Sequence, residues 1–364
     1  MSVKIVHDNA ASAPWDAAGD PRRGFGNFLA AVAQAAGGPR LSGQIDPRLR
    51  RTAAPSGTNE GIPSEGGFLV ESETVLALEL EMFEASVLAD RCFPVEVGDR
   101  ANGARVPLFD ETDRTAGSRW GGVQVAWASE ASEITASRPT TRVVDIELGR
   151  CRGLWYVTGE EVEDVTYLEN VGLTAFGGEL AFAVDEAITR GTGVGSPLGV
   201  LNGAGLVTVS AEVGQPAATV EARNLARMWA RLPAASRRRA VWLVHPDAEG
   251  SLQSEGTALL GARSAVQYGD EGARIFGRPA FASEHCSALG TVGDVVLVDP
   301  GWYALLRKIG GPKGAGSMHV AFTTDEWAFR FTYRVNGCPM CTSAITPARG
   351  TNTVSPYVTL AARA

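Results

Sequence analysis

The sequence predicts an α+β fold whose body carries two projecting pieces. Three observations lead there. Residues 159–191 keep apolar side chains at a 3.6-residue period for about 30 residues, as one long helix does. Residues 104–109 and 140–158 alternate with a period of two, which is strand patterning, and the polar span between them, 110–139, is too long for an ordinary connection. Helical and strand segments follow one another without the βαβ repetition of a parallel sheet.

Residues 1–66 are rich in Ala, Gly and Pro, with one helical patch around Phe25, Phe28 and Leu29 and then Arg48, Arg50 and Arg51. They read as an extended arm that must lie on something else to be ordered. The stretch "PRRGFGNFLAAVAQAAGG" (21–38) has the paired arginines of an export signal. Its apolar part is alanine-rich, about ten residues long and begins some twenty residues in, so it reads as a short amphipathic helix. Residues 72–90 place Val75, Leu78, Met82 and Leu88 at helical spacing between acids, a second amphipathic helix. The polar span 110–139 reads as a projecting hairpin with little to bury by itself.

The helix of 159–190 has acids in its first turn, where the dipole favours them, and stops at Arg190-Gly191. It would run for roughly 45 Å, with Gly172, Gly177 and Gly178 as places to bend. The loop that follows, "RGTGVGSPLGVLN" (190–202), resembles a ligand cradle. A phosphate loop needs a lysine, and none lies between Lys4 and Lys308; a dinucleotide loop follows a strand, and this one follows a helix. Gly191, Gly193, Gly195, Pro197 and Gly199 therefore read as a helix stop and a tight turn.

Beyond it the pattern gives a helix at 221–233, a buried strand at 240–248, a mixed segment at 254–269 and a strand at 274–283 broken by Gly-Arg-Pro. A strand, a turn and a short helix or strand follow at 293–308, then one long strand at 319–340.

Composition excludes several classes. With 45% hydrophobic and 20% charged residues among 364, the chain is globular, and its longest charge-free window, 191–211, is too rich in glycine to span a membrane. A soluble protein is expected. A net charge of −8 argues against wrapping nucleic acid, although the first 60 residues hold seven Lys/Arg against five acids. Five cysteines form no disulfide framework and point to reduced thiols, and the lone pair Cys338 and Cys341 ("CPMC") reads as packed thiols before it reads as a redox or metal motif. The four histidines have no ligand spacing. His245 lies in an apolar strand and reads as a core histidine, and His285-Cys286 could pose as base and nucleophile but lacks a placed third partner. No cofactor or metal is expected, and active-site chemistry has no convincing claimant.

Six stretches in order carry a resemblance to a known family. "GFGNFLAAVAQA" followed by "DPRLRR", "PSEGGFLVESE" (63–73), "RGTGVGSPLGVLN", "FGRPAFAS", "GDVVLVDPGWYALLRK" and "FTTDEWAFRFTYRVNGCPM" resemble the successive motifs of tailed-bacteriophage major capsid proteins of the Hong Kong 97 type. The resemblance covers about residues 25–345. It implies self-assembly into an icosahedral shell of pentamers and hexamers around packaged double-stranded DNA, touched weakly and without sequence preference. It also implies a portal protein, a separate scaffolding or decoration protein if one is used, no membrane, assembly in the host bacterial cytoplasm and a place in the virion.

By the same resemblance the arm (1–66) and an extended loop (110–150) reach over neighbouring copies. The peripheral domain holds 67–109, 151–204 and 309–341, with a spine helix at about 159–190, and the axial domain holds 205–308 and 342–364. The arm's Phe25, Phe28, Leu29, Arg48, Arg50 and Arg51 become contact candidates. Trp120 and Trp127 on the loop either anchor on a neighbour or pack beneath their own hairpin, because a projecting loop has no core to hide an indole. Two departures follow. The loop has no lysine for the isopeptide lock some members form, and the arm is too short for a fused scaffolding domain. The alternatives are an encapsulin-like compartment and a thiol hydrolase using Cys286 and His285.

Overall fold

The structure is a computed structural model. It describes residues 78–363, apart from 80, 84, 99, 110, 116–118, 126, 128–135, 164–167, 169, 170, 256–264, 270, 271 and 322–325. In chain order the elements are α1 (78–85), β1 (Phe93–Val97), β2 (Gly103–Phe109), β3 (Thr141–Glu147), β4 (Cys151–Thr158), α2 (Gly159–Glu163) and α3 (Phe176–Arg190). Next come β5 (Val207–Val209), α4 (Ala222–Arg231), β6 (Val241–Val244), α5 (Pro246–Glu255), β7 (Val266–Gly269), β8 (Gly272–Ile275) and β9 (Arg278–Ala282). Last are β10 (Val295–Val298), β11 (Tyr303–Lys308), β12 (Lys313–Ala321), β13 (Glu326–Tyr333), β14 (Val335–Pro339) and β15 (Tyr357–Leu360).

Two compact units divide these elements. One comprises residues up to Ser86, Arg150–Ala183 and Lys308–Arg334; the other comprises Val87–Gly149, Val184–Arg307 and Val335–Ala364. In the first unit β12, β13 and β4 form an antiparallel sheet, with Phe329 opposite Trp155 and Phe331 opposite Gly153. Phe176 packs 5.6 Å from Trp155 and 4.6 Å from Phe331 between ring centroids. Gly153 makes room for that ring, since a Cβ there would stand 2.9 Å from it. At the start of α2, Thr158 N–H donates to Glu161 at 3.0 Å and Glu161 N–H donates to the Thr158 hydroxyl at 3.4 Å, a reciprocal cap that gives one of the first-turn acids its task.

In the second unit seven strands run in the order β5-β15-β10-β6-β9-β8-β7, parallel at β5/β15 and β6/β9 and antiparallel elsewhere. The central strands β6, β10 and β15 are buried throughout, so they read as continuous apolar runs. The α4 helix lays Leu225 and Met228, with Leu232 just past its end, into a core with Trp242, Val295 and Leu297. A second sheet, β1-β11-β14, and the β2/β3 hairpin share another core built on Val97, Ile146, Leu148, Ala304 and Leu306.

The structure corrects several expectations. The helix predicted over 72–90 stops at 85, and a 3-10 turn follows at Ala89–Arg91. Buried Asp185 takes the N–H groups of Val87, Leu88 and Ala89 at 2.7, 3.3 and 3.1 Å, and those donors are then unavailable to a helix. The single helix of 159–190 is interrupted by a π-helical turn at Val171–Ala175, which contains Gly172. The strand of 240–248 ends at Val244, because Pro246 opens α5 and the His245 ring accepts the Asp247 N–H at 3.2 Å through Nδ1. His245 is thus a half-buried helix cap rather than a core residue.

The strand of 274–283 is a hairpin. Phe276 and Gly277 have φ of 50° and 73°, the signature of a two-residue turn that follows strand twist, and the Phe276 ring is held 5.8 Å from Trp229. The long strand of 319–340 is three pieces. β13 pairs with β4, β14 pairs with β11, and the chain changes sheet at Arg334.

Candidate assembly surfaces

The span 110–139, expected as a projecting hairpin, contains no strand among its described residues and bridges Thr346 through Asp113, whereas the two period-two segments pair with each other, Gly103 opposite Glu147 and Phe109 opposite Thr141. Alternation turns Ala104, Val106, Val144 and Ile146 toward the core of its own unit. The other face presents Arg105, Pro107, Phe109 and Val143 to solvent, with Arg105 and Asp145 paired at 2.9 Å near its base. Trp120 meets Phe109 edge-on at 5.7 Å and 83°, yet stays 60% exposed. Trp127 is fully exposed and Val125 is nearly so. The two readings of the tryptophans therefore divide: Trp120 is partly covered by its own hairpin, and Trp127 has no cover among the described residues. The arm residues Phe25, Phe28, Leu29, Arg48, Arg50 and Arg51 lie outside the described residues.

The glycine turn is a set of close backbone approaches. Gly191 N–H closes the last turn of α3 on Ala187, and Gly199 N–H donates back to the Gly191 carbonyl at 2.8 Å. A Cβ on Gly199 would lie 2.5 Å from the Gly191 nitrogen, inside any real contact, and Gly193 adopts a φ of 80°. The Asn202 side chain donates to the carbonyls of Arg190 and Gly191 at 2.7 and 3.0 Å, which satisfies the helix end. Leu198 N–H joins the turn to Gly337 at 2.9 Å. The glycines are occupied with backbone, and no opening for a ligand is needed to explain them.

The thiols are placed for packing. Burial first, and then the Asp294 carboxylate, push Cys286 up to about 12, against a smaller opposing effect of Arg190. Such a thiol is protonated at neutral pH, the reverse of an activated nucleophile. Burial likewise raises Cys338 to about 11, with Arg142 opposing, and raises Cys341; redox-active pairs are shifted the other way. Among the described residues no group of three His, Cys, Asp or Glu side chains is arranged to hold a metal, and no helix is long and apolar enough to cross a membrane.

Sequence reasoning missed the local charge. From Ala222 to Pro246 the chain carries six arginines and no acid, a segregation that the overall net charge conceals.

Comparisons with known proteins agree on the fold. A family model described as the phage capsid family matches residues 66–350. Among solved structures, the capsid of an empty GTA particle aligns with a TM-score of 0.56 at 18% identity, over 77% of this chain and 90% of that one. The capsid of a native GTA particle aligns with a TM-score of 0.54 at 17% identity, over 90% of this chain and 98% of that one. No curated protein matches the sequence.

Proposed function

This chain belongs to the phage capsid family, with the Hong Kong 97-type fold of a major capsid protein that forms a head shell, and we propose that it closes that shell around packaged double-stranded DNA. The observation that carries the reading is the uncovered hairpin. Trp127 and Val125 are exposed in the segment that joins β2 to β3, a strand pair whose inner face is already committed to its own core. Burying them on a neighbour would remove apolar area worth roughly 25 cal/mol per Å² from water, repeated at every copy in the shell.

In this reading the arm of 1–66 and the loop of 110–150 reach over neighbouring copies. A peripheral domain of 67–109, 151–204 and 309–341 builds the wall, and an axial domain of 205–308 and 342–364 surrounds the centres of pentamers and hexamers. A portal protein occupies one vertex, any scaffold or decoration protein is separate, and assembly takes place in the host bacterial cytoplasm before the protein resides in the virion. DNA contact is weak, because the chain carries 41 acids against 33 Lys/Arg. The role in this reading is structural, and a Cys286 thiol held neutral by burial speaks against the hydrolase alternative. The family match is to phage capsids, which favours a head shell over an encapsulin-like compartment.

Negative-stain microscopy of the purified protein tests the reading. Uniform closed shells are expected. A monodisperse monomer that persists at high concentration and across salt conditions would contradict it.

A further inference from the structure

We propose that the second unit is an electrostatic head and tail, in which the arginine end of the parallel β6/β9 pair in one copy docks on the carboxylate end of the same pair in the next copy. The inference rests on the self-assembly reading and names the contact that orders the ring.

The topology fixes the two ends. β6 and β9 run parallel with Trp242 opposite Ala280 and Val244 opposite Ala282. Arg237 and Arg238 come just before β6, Arg231 closes the α4 helix that leads into it, and Arg278 opens β9. Asp247 and Glu249 come just after β6, and Glu284 follows β9, held alongside by Ser283 N–H on the Val244 carbonyl at 2.9 Å. Like charges therefore gather at each end of one strand pair, and opposite charges occupy opposite ends.

The arginine end is organised but unpaired. Carboxylates reach two nearby arginines, Glu212 on Arg227 at 2.8 Å and Asp299 on Arg239 at 3.1 and 3.0 Å. The other four have no carboxylate among the described residues. Arg231 donates to the Thr353 carbonyl at 3.0 Å, and Arg237 donates to the Trp229 carbonyl at 3.2 Å with its guanidinium 5.3 Å above the indole. Arg278 donates to the Arg238 carbonyl at 2.6 Å, which draws those two residues together. Neutral neighbours hold these cations in place without neutralising them, at a cost in mutual repulsion that an external anion would relieve. At the opposite end the Asp247 carboxylate is 74% exposed and 3.5 Å from the His245 ring, with no Lys or Arg paired to it among the described residues, and Glu284 is exposed.

A second copy fits both ends at once. A closed ring of identical subunits is made of heterologous contacts, each joining two different patches of the same molecule, and opposite charge at two ends of one unit supplies such patches. DNA would account for the arginines and leave the carboxylates unexplained. Complementary charge of this kind sets encounter rate and register more than final affinity.

The test uses the full chain. Arg238→Glu with Arg278→Glu cancels the net charge of the arginine end, and Glu249→Lys with Glu284→Lys turns the carboxylate end basic. A third protein carries all four changes and exchanges the signs at those four positions. Light scattering at low ionic strength should show each two-residue variant assembling at least about tenfold more slowly than the parent, with the four-residue variant within about threefold of it. The deficit should shrink as salt screens the contact. Melting curves establish that all three fold. If a two-residue variant assembles at the parent rate with the same salt dependence, or the four-residue variant is no better than the two-residue ones, the inference is wrong. Normal assembly with loss of packaged DNA would assign the arginines to nucleic acid and equally overturn it. Failure of the parent to form shells at all would remove the capsid reading, and this inference with it.

Discussion

Raising the pH from about 9 to about 11 should destabilise the protein steeply, and buried thiols contribute to the loss. Cys286 is moved from 9.0 to about 12 by burial and by Asp294, and burial with the Asp185 carboxylate pushes Cys92 up as well. The sign follows directly. A thiol whose folded pKa is raised stays neutral in the native state while its unfolded counterpart ionises, so its contribution is complete below about pH 9 and drains away as pH climbs toward the folded value. At 1.36 kcal/mol per unit, each such thiol forfeits about 2.7 kcal/mol by about pH 11. Two of them together match the lower bound of roughly 5 kcal/mol for a whole domain. Tyr303 and Tyr357, both raised by burial, add to the loss above about pH 10. Denaturant titrations at stepped pH check this: Cys286→Ala should lower the slope of stability against pH by about 1.4 kcal/mol per unit over that window. An unchanged slope would show that the Cys286 thiol plays no part.

Removing Arg363 should be among the most damaging single changes available. Its guanidinium pairs with Asp294, and the two side chains are 1% and 0% exposed. The same carboxylate accepts Gly290 N–H at 2.9 Å, while the Arg363 backbone joins Gly290 at 2.7 Å and Ala218 at 3.2 Å. Three separate stretches of chain thus meet on one ion pair. Arg363→Ala leaves a buried carboxylate without a counter-ion, which costs roughly 3 to 5 kcal/mol, whereas replacing both partners with apolar residues of similar size costs far less. Thermal unfolding should therefore rank Arg363→Ala well below both the parent and an Asp294→Leu/Arg363→Met double variant. Arg363→Ala within about 1 kcal/mol of the parent would mean that the pair contributes little.

Local chemistry was the part of this fold that could be read in advance. The turn after α3 was legible because glycines at 191, 193, 195 and 199 around Pro197 have few other uses, and the period-two segments around 104–109 and 140–158 declared the hairpin base. What could not be read were decisions made by partners distant in sequence. Nothing near residue 87 announces that Asp185 will take its N–H groups, and nothing in an alternating run such as 326–339 tells which half joins β4 and which joins β11. The exposed loop was legible in kind, as a polar span with two indoles, but not in detail. That Phe109 shelters Trp120 while Trp127 has no such neighbour among the described residues depends on where the strand pair ends, and periodicity leaves boundaries loose.

The central claim is that neighbouring copies complete what a single copy leaves exposed. Hydroxyl-radical footprinting of unassembled subunits and of closed shells measures this at the hairpin. The account predicts that Trp127 and Val125, bare in the subunit, become strongly protected in the shell, while Trp242, already inside its own core, changes little. Oxidation of Trp127 in shells as fast as in free subunits would contradict it.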